Sequence, residues 1–308
     1  MVLFQTKRIK TVIIFIIVMV VFIWLFQNNY IKLSIFQKSI NQSTVSNKQV
    51  QDNAYLEKID NFIIKEYSKK QILLHTIQAK TYFSYKNSPI KLIDVEVKTF
   101  NASQKEGLVL RSNRAEILKS GEIFFNEEVN IKTSTGVYHE LDTESLIVLS
   151  DFGKIKSNKE VTYLGNNAKI NAKSMEMDID SDTMILKGKV NIFQDSGAKI
   201  TTTDLFISHE NGEKKYNSQN KTSYLSNKNK VNSEKGIDMD MNQNLIKLLG
   251  KVEILDFNGG SIKTTNLLID QSNGGEIFKS NEPSHLRSNT VDIKAKKMHY
   301  DAITKKLK

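Results

Sequence analysis

Residues 184–193 read "MILKGKVNIF". Laid out as a strand, one face carries Met184, Leu186, Gly188, Val190 and Ile192, and the other carries Ile185, Lys187, Lys189, Asn191 and Phe193. That period of two, without the i, i+3, i+4 pattern of a helix, marks a half-buried β-strand. The same face returns farther along the chain as Ile246, Leu248, Gly250, Val252 and Ile254. Turn-rich stretches bound these strands: "DIDSDT" at 178–183, "QDSG" at 194–197, "DFNGG" at 256–260 and "SNGG" at 272–275. Asp, Asn, Ser and Gly favour turns through side-chain hydrogen bonds and tolerance of positive φ.

A second frame runs through the chain: an apolar residue, a gap, a small residue, two gaps, an apolar residue. One copy is Ile170, Ala172 and Met175. Copies start at Ile77, Leu110, Leu141, Ile170, Ile200, Val231, Ile262 and Ile293, in steps of 33, 31, 29, 30, 31, 31 and 31. A fixed period in this range is the signature of stacked repeats. Alternate copies match best, which makes a double period of two steps. "GKVNIFQDSGAKITTTDLFI" at 188–207 recurs as "GKVEILDFNGGSIKTTNLLI" at 250–269. "TYLGNNAKINAKSMEMD" at 162–178 is echoed by "SYLSNKNKVNSEKGIDMD" at 223–240. Within the frame, Ala172 and Met175 differ in parity, so a strand keeps both inward only with a bulge or bend near Lys173 and Ser174. A bend at the same place in every unit folds the stack into two facing sheets. The expected fold is all-β: an elongated, twisted jelly roll of stacked ~31-residue repeats, open along one side, with two strands of about ten residues per unit.

The 308 residues carry 44 Lys and Arg against 34 Asp and Glu, a net charge of +10, and no cysteine. Disulfides, thiol chemistry and lipidated cysteine are thereby excluded. The lysines alternate with apolar positions along the whole chain, as on a solvated outer face. Attraction to anionic lipid head groups is the sharper alternative, and no nucleic-acid module is present. The five histidines form no H-x-x-x-H or H-E-x-x-H pair, so no metal site is expected. "DIDSDT" begins like a calcium loop but lacks glycine at the sixth position and glutamate at the twelfth, which is Lys189; it reads as a polar turn. With no G-x-S-x-G, G-x-G-x-x-G or phosphate-loop motif, neither catalysis nor a cofactor is expected.

At the N-terminus "KRIK" at 7–10 precedes the uncharged run "TVIIFIIVMVVFIWLF" at 11–26. Sixteen helical residues span ~24 Å, short of the ~30 Å hydrocarbon core. Lys10 can snorkel at one end, and Trp24 suits the other interface. The competing reading is a cleaved signal peptide, but "QNNYIKLSIFQ" at 27–37 contains no A-x-A-like site. Residues 1–10 are expected in the cytoplasm, 11–26 across the membrane and 27–54 as a polar linker. Lys7, Arg8 and Lys10 lie closer to the run than Lys32 and Lys38, which sets that orientation.

The anchor, the linker and the strands "LLHTIQAKTYFSY" (73–85), "KLIDVEVKTF" (91–100), "LVLRSNRAEI" (108–117), "EEVNIKT" (127–133) and "INAKSMEMDIDSDTMILKGKVNI" (170–192) together resemble the LptC family of lipopolysaccharide-transport proteins. The resemblance covers the anchor and residues 55–207, a jelly roll in that family. Residues 208–308 continue the repeat and look like the OstA-type units of LptA. The resemblance implies an inner-membrane, single-pass protein with most of its chain in the periplasm. It would take lipopolysaccharide or a related glycolipid from the permease subunits of an ABC transporter and pass it to an LptA-like bridge. Exposing an acyl chain to water costs ~0.8 kcal/mol per methylene, or ~10 kcal/mol for a dozen carbons, which an apolar groove removes.

On that reading the groove is lined by Ile170, Met175, Met177, Met184, Leu186, Val190, Ile192, Ile200, Leu205, Ile246, Leu248, Val252, Ile254, Ile262 and Leu267. Flexible methionines suit a variable ligand. Apolar alternation alone predicts the same residues as plain core. The chain also ends at "KKLK", where the periodicity calls for another long strand, since Lys308 stands as far beyond Ile246 as Ile246 stands beyond Met184. The resemblance makes Ile293, Ala295, Met298 and Tyr300 the edge at which a partner joins by strand addition. The rival class is a membrane-anchored structural β-solenoid or adhesin-like protein with a dry core and no cargo.

Overall fold

The computed structural model describes residues 55–301, except 102, 134–138, 151, 166, 227, 228, 257 and 258, together with 304, 306 and 307. The expected anchor at 11–26 and linker at 27–54 lie outside the described residues. Among those described, no helix is long and apolar enough to cross a membrane.

The described chain is antiparallel β-structure with a single turn of 3₁₀ helix at Glu210–Gly212. Six long strands come first, β1 (Glu57–Tyr67), β2 (Leu73–Ser84), β3 (Ile90–Phe100), β4 (Glu106–Ile117), β5 (Ile123–Thr133) and β6 (Glu140–Val148), each paired with the next. Four short strands follow, β7 (Lys154–Ser157), β8 (Val161–Leu164), β9 (Ala168–Ala172) and β10 (Ser174–Asp178), then two long ones, β11 (Thr183–Gln194) and β12 (Lys199–Ser208). The set recurs as β13 (Lys215–Ser218), β14 (Thr222–Leu225), β15 (Asn229–Ser233), β16 (Gly236–Asp240), β17 (Leu245–Asp256) and β18 (Ser261–Asp270). It begins again as β19 (Ile277–Ser280), β20 (Ser284–Arg287), β21 (Asp292–Ala295), β22 (Met298–Asp301) and β23 (Lys306–Leu307).

The double period therefore has a structural meaning. From β5 onward, two strands run unbroken through a crease, and the next two are each cut there into a pair of short strands. This differs from two uniform strands per unit, because from β5 onward half of the strands break where the sheet folds. On one side of the crease the ladder runs β6–β7–β10–β11–β12–β13–β16–β17–β18–β19–β22–β23; on the other it runs β6–β8–β9–β11–β12–β14–β15–β17–β18–β20–β21. We call these the first and second layers. The inward side chains of both belong to one buried apolar cluster, so the layers face each other. β12 crosses residue 207, so the ladder passes without a break into the added repeats.

The crease is built from the small residue of the frame. β9 ends at Ala172 and β10 starts at Ser174, which places the expected bend at Lys173. In the unbroken strands the register shifts between Leu186 and Lys189, and again between Leu248 and Lys251. There Gly188 (φ +77°) and Gly250 (φ +76°) adopt left-handed backbone that a Cβ penalises. Their N–H groups donate to Asp204 Oδ1 (2.7 Å) and Asn266 Oδ1 (2.9 Å). The third frame residue is threonine in the later unbroken strands, and its buried hydroxyl finds serine or threonine partners across the crease. Thr143 lies 3.0 Å from Ser157; Thr202 donates to Ser218 at 3.0 Å and accepts from Thr222 at 3.0 Å; Thr264 donates to Ser280 at 2.8 Å and accepts from Ser284 at 3.0 Å. A hydroxyl both donates and accepts, so a three-hydroxyl chain satisfies buried polar groups where the ladder is interrupted.

One frame copy departs from the expectation. Gly236 occupies the apolar position, and Ile237 does the inward packing instead. The segment 233–236 is one longer than the equivalent 172–174, and Gly236 absorbs the insertion at φ +121°. Outside the crease, lysines and arginines occupy outward positions and many pair across strands, as in Lys187–Glu176 (2.8 Å) and Arg111–Glu96 (2.6 Å). Such exposed pairs contribute little stability, and the solvated-face reading of the basic composition suffices for them.

Candidate functional site: the interior and its mouth

All fifteen expected groove residues project into the one buried cluster. Leu186, Leu205, Leu248 and Leu267 are wholly buried, while the outward neighbours Ile185 and Phe193 are more than a third exposed. The interior of the family-like strands and that of the added repeats are one body of side chains, with Met177 and Met239 at equivalent positions in successive double units.

The far ends of the strands form two rows of turns. Among the described residues no backbone ladder joins the rows, so this side of the folded sheet is open in its main chain. A cavity of about 580 Å³ lies there. Glu66, Leu74, His75, Thr99, Phe100, Asn101 and Thr133 line it from the second-layer row, and Ser150, Phe152, Met177, Ile179, Asp180 and Asp182 from the first. The volume is that of an ordinary small-molecule site. Met177 is the one expected groove residue that reaches it.

Side chains bridge the two rows. His75 stacks on Phe152 with ring centroids 3.8 Å apart, and its Nε2 lies 2.8 Å from Glu66 Oε2. His139 stacks on His209 at 4.8 Å, and the Tyr163 hydroxyl and His209 Nε2 share a hydrogen bond of 3.2 Å. Asp182 Oδ1 lies 3.8 Å from His209 Nδ1. One unit on, the Tyr224 hydroxyl donates to Glu276 Oε1 (2.5 Å) and accepts from Gln271 Nε2 (3.0 Å). Tyr163 and Tyr224 hold equivalent places in the echoed segments, and His209 and Gln271 each follow the matched strands "TTTDLFI" and "KTTNLLI" by the same offset. The two bridges therefore use the same positions of the repeat.

Burial sets the charge of these groups. It pushes His139 down to about 4, assisted by the neighbouring His209, and it lowers His75 against the opposing pull of Glu66. It also lowers His209, with Lys214 adding and Asp182 opposing. Burial raises the Tyr163, Tyr216 and Tyr224 hydroxyls, which stay protonated donors. All three histidines are thus neutral at neutral pH.

One nitrogen from each of His139 and His209 and one Asp182 oxygen lie within 4.8 Å of one another. In a tetrahedral zinc shell with bonds of 2.0–2.1 Å the donors stand about 3.3 Å apart. The two rings also stack at 17°, so their in-plane lone pairs do not converge on a point. The group fits a stacked bridge better than a metal centre.

At the expected partner edge, β21 pairs with β20 on one side, and no strand is paired to its other side among the described residues. Ile293 is 44% exposed and Ala295 is exposed, unlike their equivalents Ile170 and Ala172, because no long strand stacks on them. Met298 and Tyr300 are buried. A short strand, β23, begins at Lys306 and pairs with Tyr300 and Asp301, just ahead of Lys308, where the sequence period places the next long strand.

The bridging residues were not singled out by sequence reasoning, although Tyr163 and Tyr224 sit in the echoed segments "TYLG" and "SYLS". A folded antiparallel sheet wraps one apolar interior, and its two rows of turns meet without a backbone ladder among the described residues. The family described as lipopolysaccharide-assembly, LptC-related, matches residues 12–195, and the chain belongs to it. It is a family of lipopolysaccharide transport in the cell envelope and not one of enzymes. No curated protein matches the chain.

Proposed function

We propose that this protein is an inner-membrane-anchored lipid-transfer component whose apolar interior carries the acyl chains of lipopolysaccharide or a similar glycolipid. Residues 11–26 anchor it, with the N-terminus in the cytoplasm and the remainder in the periplasm. Permease subunits of an ABC transporter load it, and an LptA-like bridge receives the cargo. The observation that carries this reading is the continuity of the interior, from the family-matched strands through β12–β22, by side chains that recur with the double period. The added repeats lengthen the path within one chain.

The experiment is site-specific photo-crosslinking in cells, with the reactive residue placed singly at Leu186 and Leu248, and at Lys187 and Lys247 as outward controls. Lipid adducts are expected at both leucines and at neither lysine. No adduct at either leucine, in cells with active transport, would replace this reading by a second one, a membrane-anchored structural β-protein with a dry core. The complete burial of Leu186 and Leu248 is the observation that favours that alternative.

We also propose that the outer edge of β21 takes a strand from the bridge partner, since an uncovered edge presents unpaired backbone groups. Removing residues 291–308 should abolish capture of an LptA-like partner while the interior adducts persist. Capture that survives the deletion removes the edge from the docking surface.

A further inference from the structure

We propose that the side-chain bridges across the two rows of turns are clasps of a lateral gate, through which an acyl chain enters the interior sideways. The gate rests on the lipid-carrying reading above and adds the route of entry.

The geometry has three parts. First, among the described residues the rows are held to each other at the mouth by side chains and by no backbone ladder. They can part by rotamer changes while every strand pairing persists. Second, the clasps recur along the chain: His75 on Phe152, His139 and Tyr163 on His209, and Tyr224 on Gln271 and Glu276. The last two share positions in successive units, so the closure belongs to the repeat. Third, the cavity of about 580 Å³ is bounded by the first clasp through His75 and Phe152 and by the second through Asp182, and it reaches the interior at Met177. It is a vestibule between two clasps, with solvent on one side and the apolar cluster on the other.

The clasps suit this role chemically. Rings and hydroxyls satisfy one another when the lips are shut. When the lips part, the Tyr163 and Tyr224 hydroxyls, the Gln271 amide and the imidazoles face the sugar and phosphate oxygens that border an acyl chain. Aromatic faces meanwhile meet its methylenes. Groups with one apolar body and one polar tip are at home at such a boundary.

The chain has no cysteine, so thiols can be introduced without background. The full-length protein would carry His75→Cys and Phe152→Cys together with the photo-reactive residue at Leu186, in membranes that contain lipopolysaccharide. A cleavable thiol-specific cross-linker then ties the lips. The tied protein is expected to lose the lipid adduct at Leu186, and reductant is expected to restore it. The pair Tyr224→Cys and Glu276→Cys repeats the test at the third clasp, with the photo-reactive residue at Leu248, should the first pair disturb folding. An adduct undiminished by tying means that lipid enters from an end of the stack, and it overturns the gate while leaving lipid carriage intact. No adduct in the untied protein without cysteines overturns lipid carriage and the gate with it.

Discussion

Gly236→Ala is expected to cost ~4 kcal/mol or more and to lower the melting temperature by roughly 10 °C, among the largest effects of any single methyl group in this chain. A Cβ at this position would lie 2.0 Å from the carbonyl oxygen of Ser218 and 2.9 Å from its carbon. Both are backbone atoms, so no rotamer change relieves the clash. The φ of +121° adds strain of its own, outside the region that an alanine tolerates. Gly236 is also tied to the crease: its N–H donates to Ser233 Oγ, which in turn donates to the Gly236 and Leu249 carbonyls. Moving the backbone aside would break these bonds and leave buried groups unpaired. Gly274 is the matched control. Its φ is +70° with no atom within 4 Å of an added Cβ, so Gly274→Ala should cost ~1 kcal/mol, from backbone strain alone. Urea unfolding of the two variants beside the parent measures the difference. Equal losses would mean that the close approach of β16 to the Ser218 carbonyl does not exist in solution.

Gly236 also shows where a repeat frame stops being readable. The alternation in "MILKGKVNIF" fixed strand and face, and the parity switch after Ala172 located the crease, because both follow from a side-chain period of two meeting one shared core. The small residue of the frame was legible as small but not as a hydroxyl partner. The Thr202 bonds to Ser218 and Thr222 join separate strands, and no local pattern specifies them. The inserted residue before Gly236 was hidden for a related reason, since a degenerate frame absorbs a shift of one without a visible break. The mouth was the least legible part. His139 and His209 come from distant stretches of chain, before β6 and after β12, and the two differ in position within the repeat. Their pairing is a product of the fold closing on itself. Ile293 reads like Ile170 in sequence but is exposed, because burial depends on which strand lies above and not on the residue's own alternation.

Acidification from pH 7 to pH 5 should destabilise the protein by ~2 kcal/mol through His139 alone. Its imidazole is held down to about 4 by burial and by His209, whereas in the unfolded chain it titrates near the ordinary 6.5. The unfolded state thus takes up the proton first. The stabilisation is complete above about 6.5 and is lost progressively as pH falls toward 4, where the full loss reaches ~3 kcal/mol. His209 and His75 are lowered too and steepen the same window. The ionisable groups facing the histidine pair are Asp182, Lys214, Tyr163 and Tyr216; the tyrosines stay neutral throughout, and Asp182 opposes the effect at His209 while Lys214 reinforces it. His139→Phe keeps a ring against His209 and removes one titrating group. Its urea midpoint should therefore fall less between pH 7 and pH 5 than the parent's, by the equivalent of ~2 kcal/mol. Identical falls would mean that His139 is not a buried neutral base. Near pH 4, where His139 itself takes up a proton in the folded protein, its positive ring stands 4.8 Å from that of His209 across the mouth, with Asp182 beside only His209. Repulsion then acts on the clasp while the strand ladders keep their bonds. Among the described residues the two rows meet at the mouth through side chains and no backbone ladder, so that repulsion falls on the clasp and not on the strand pairings.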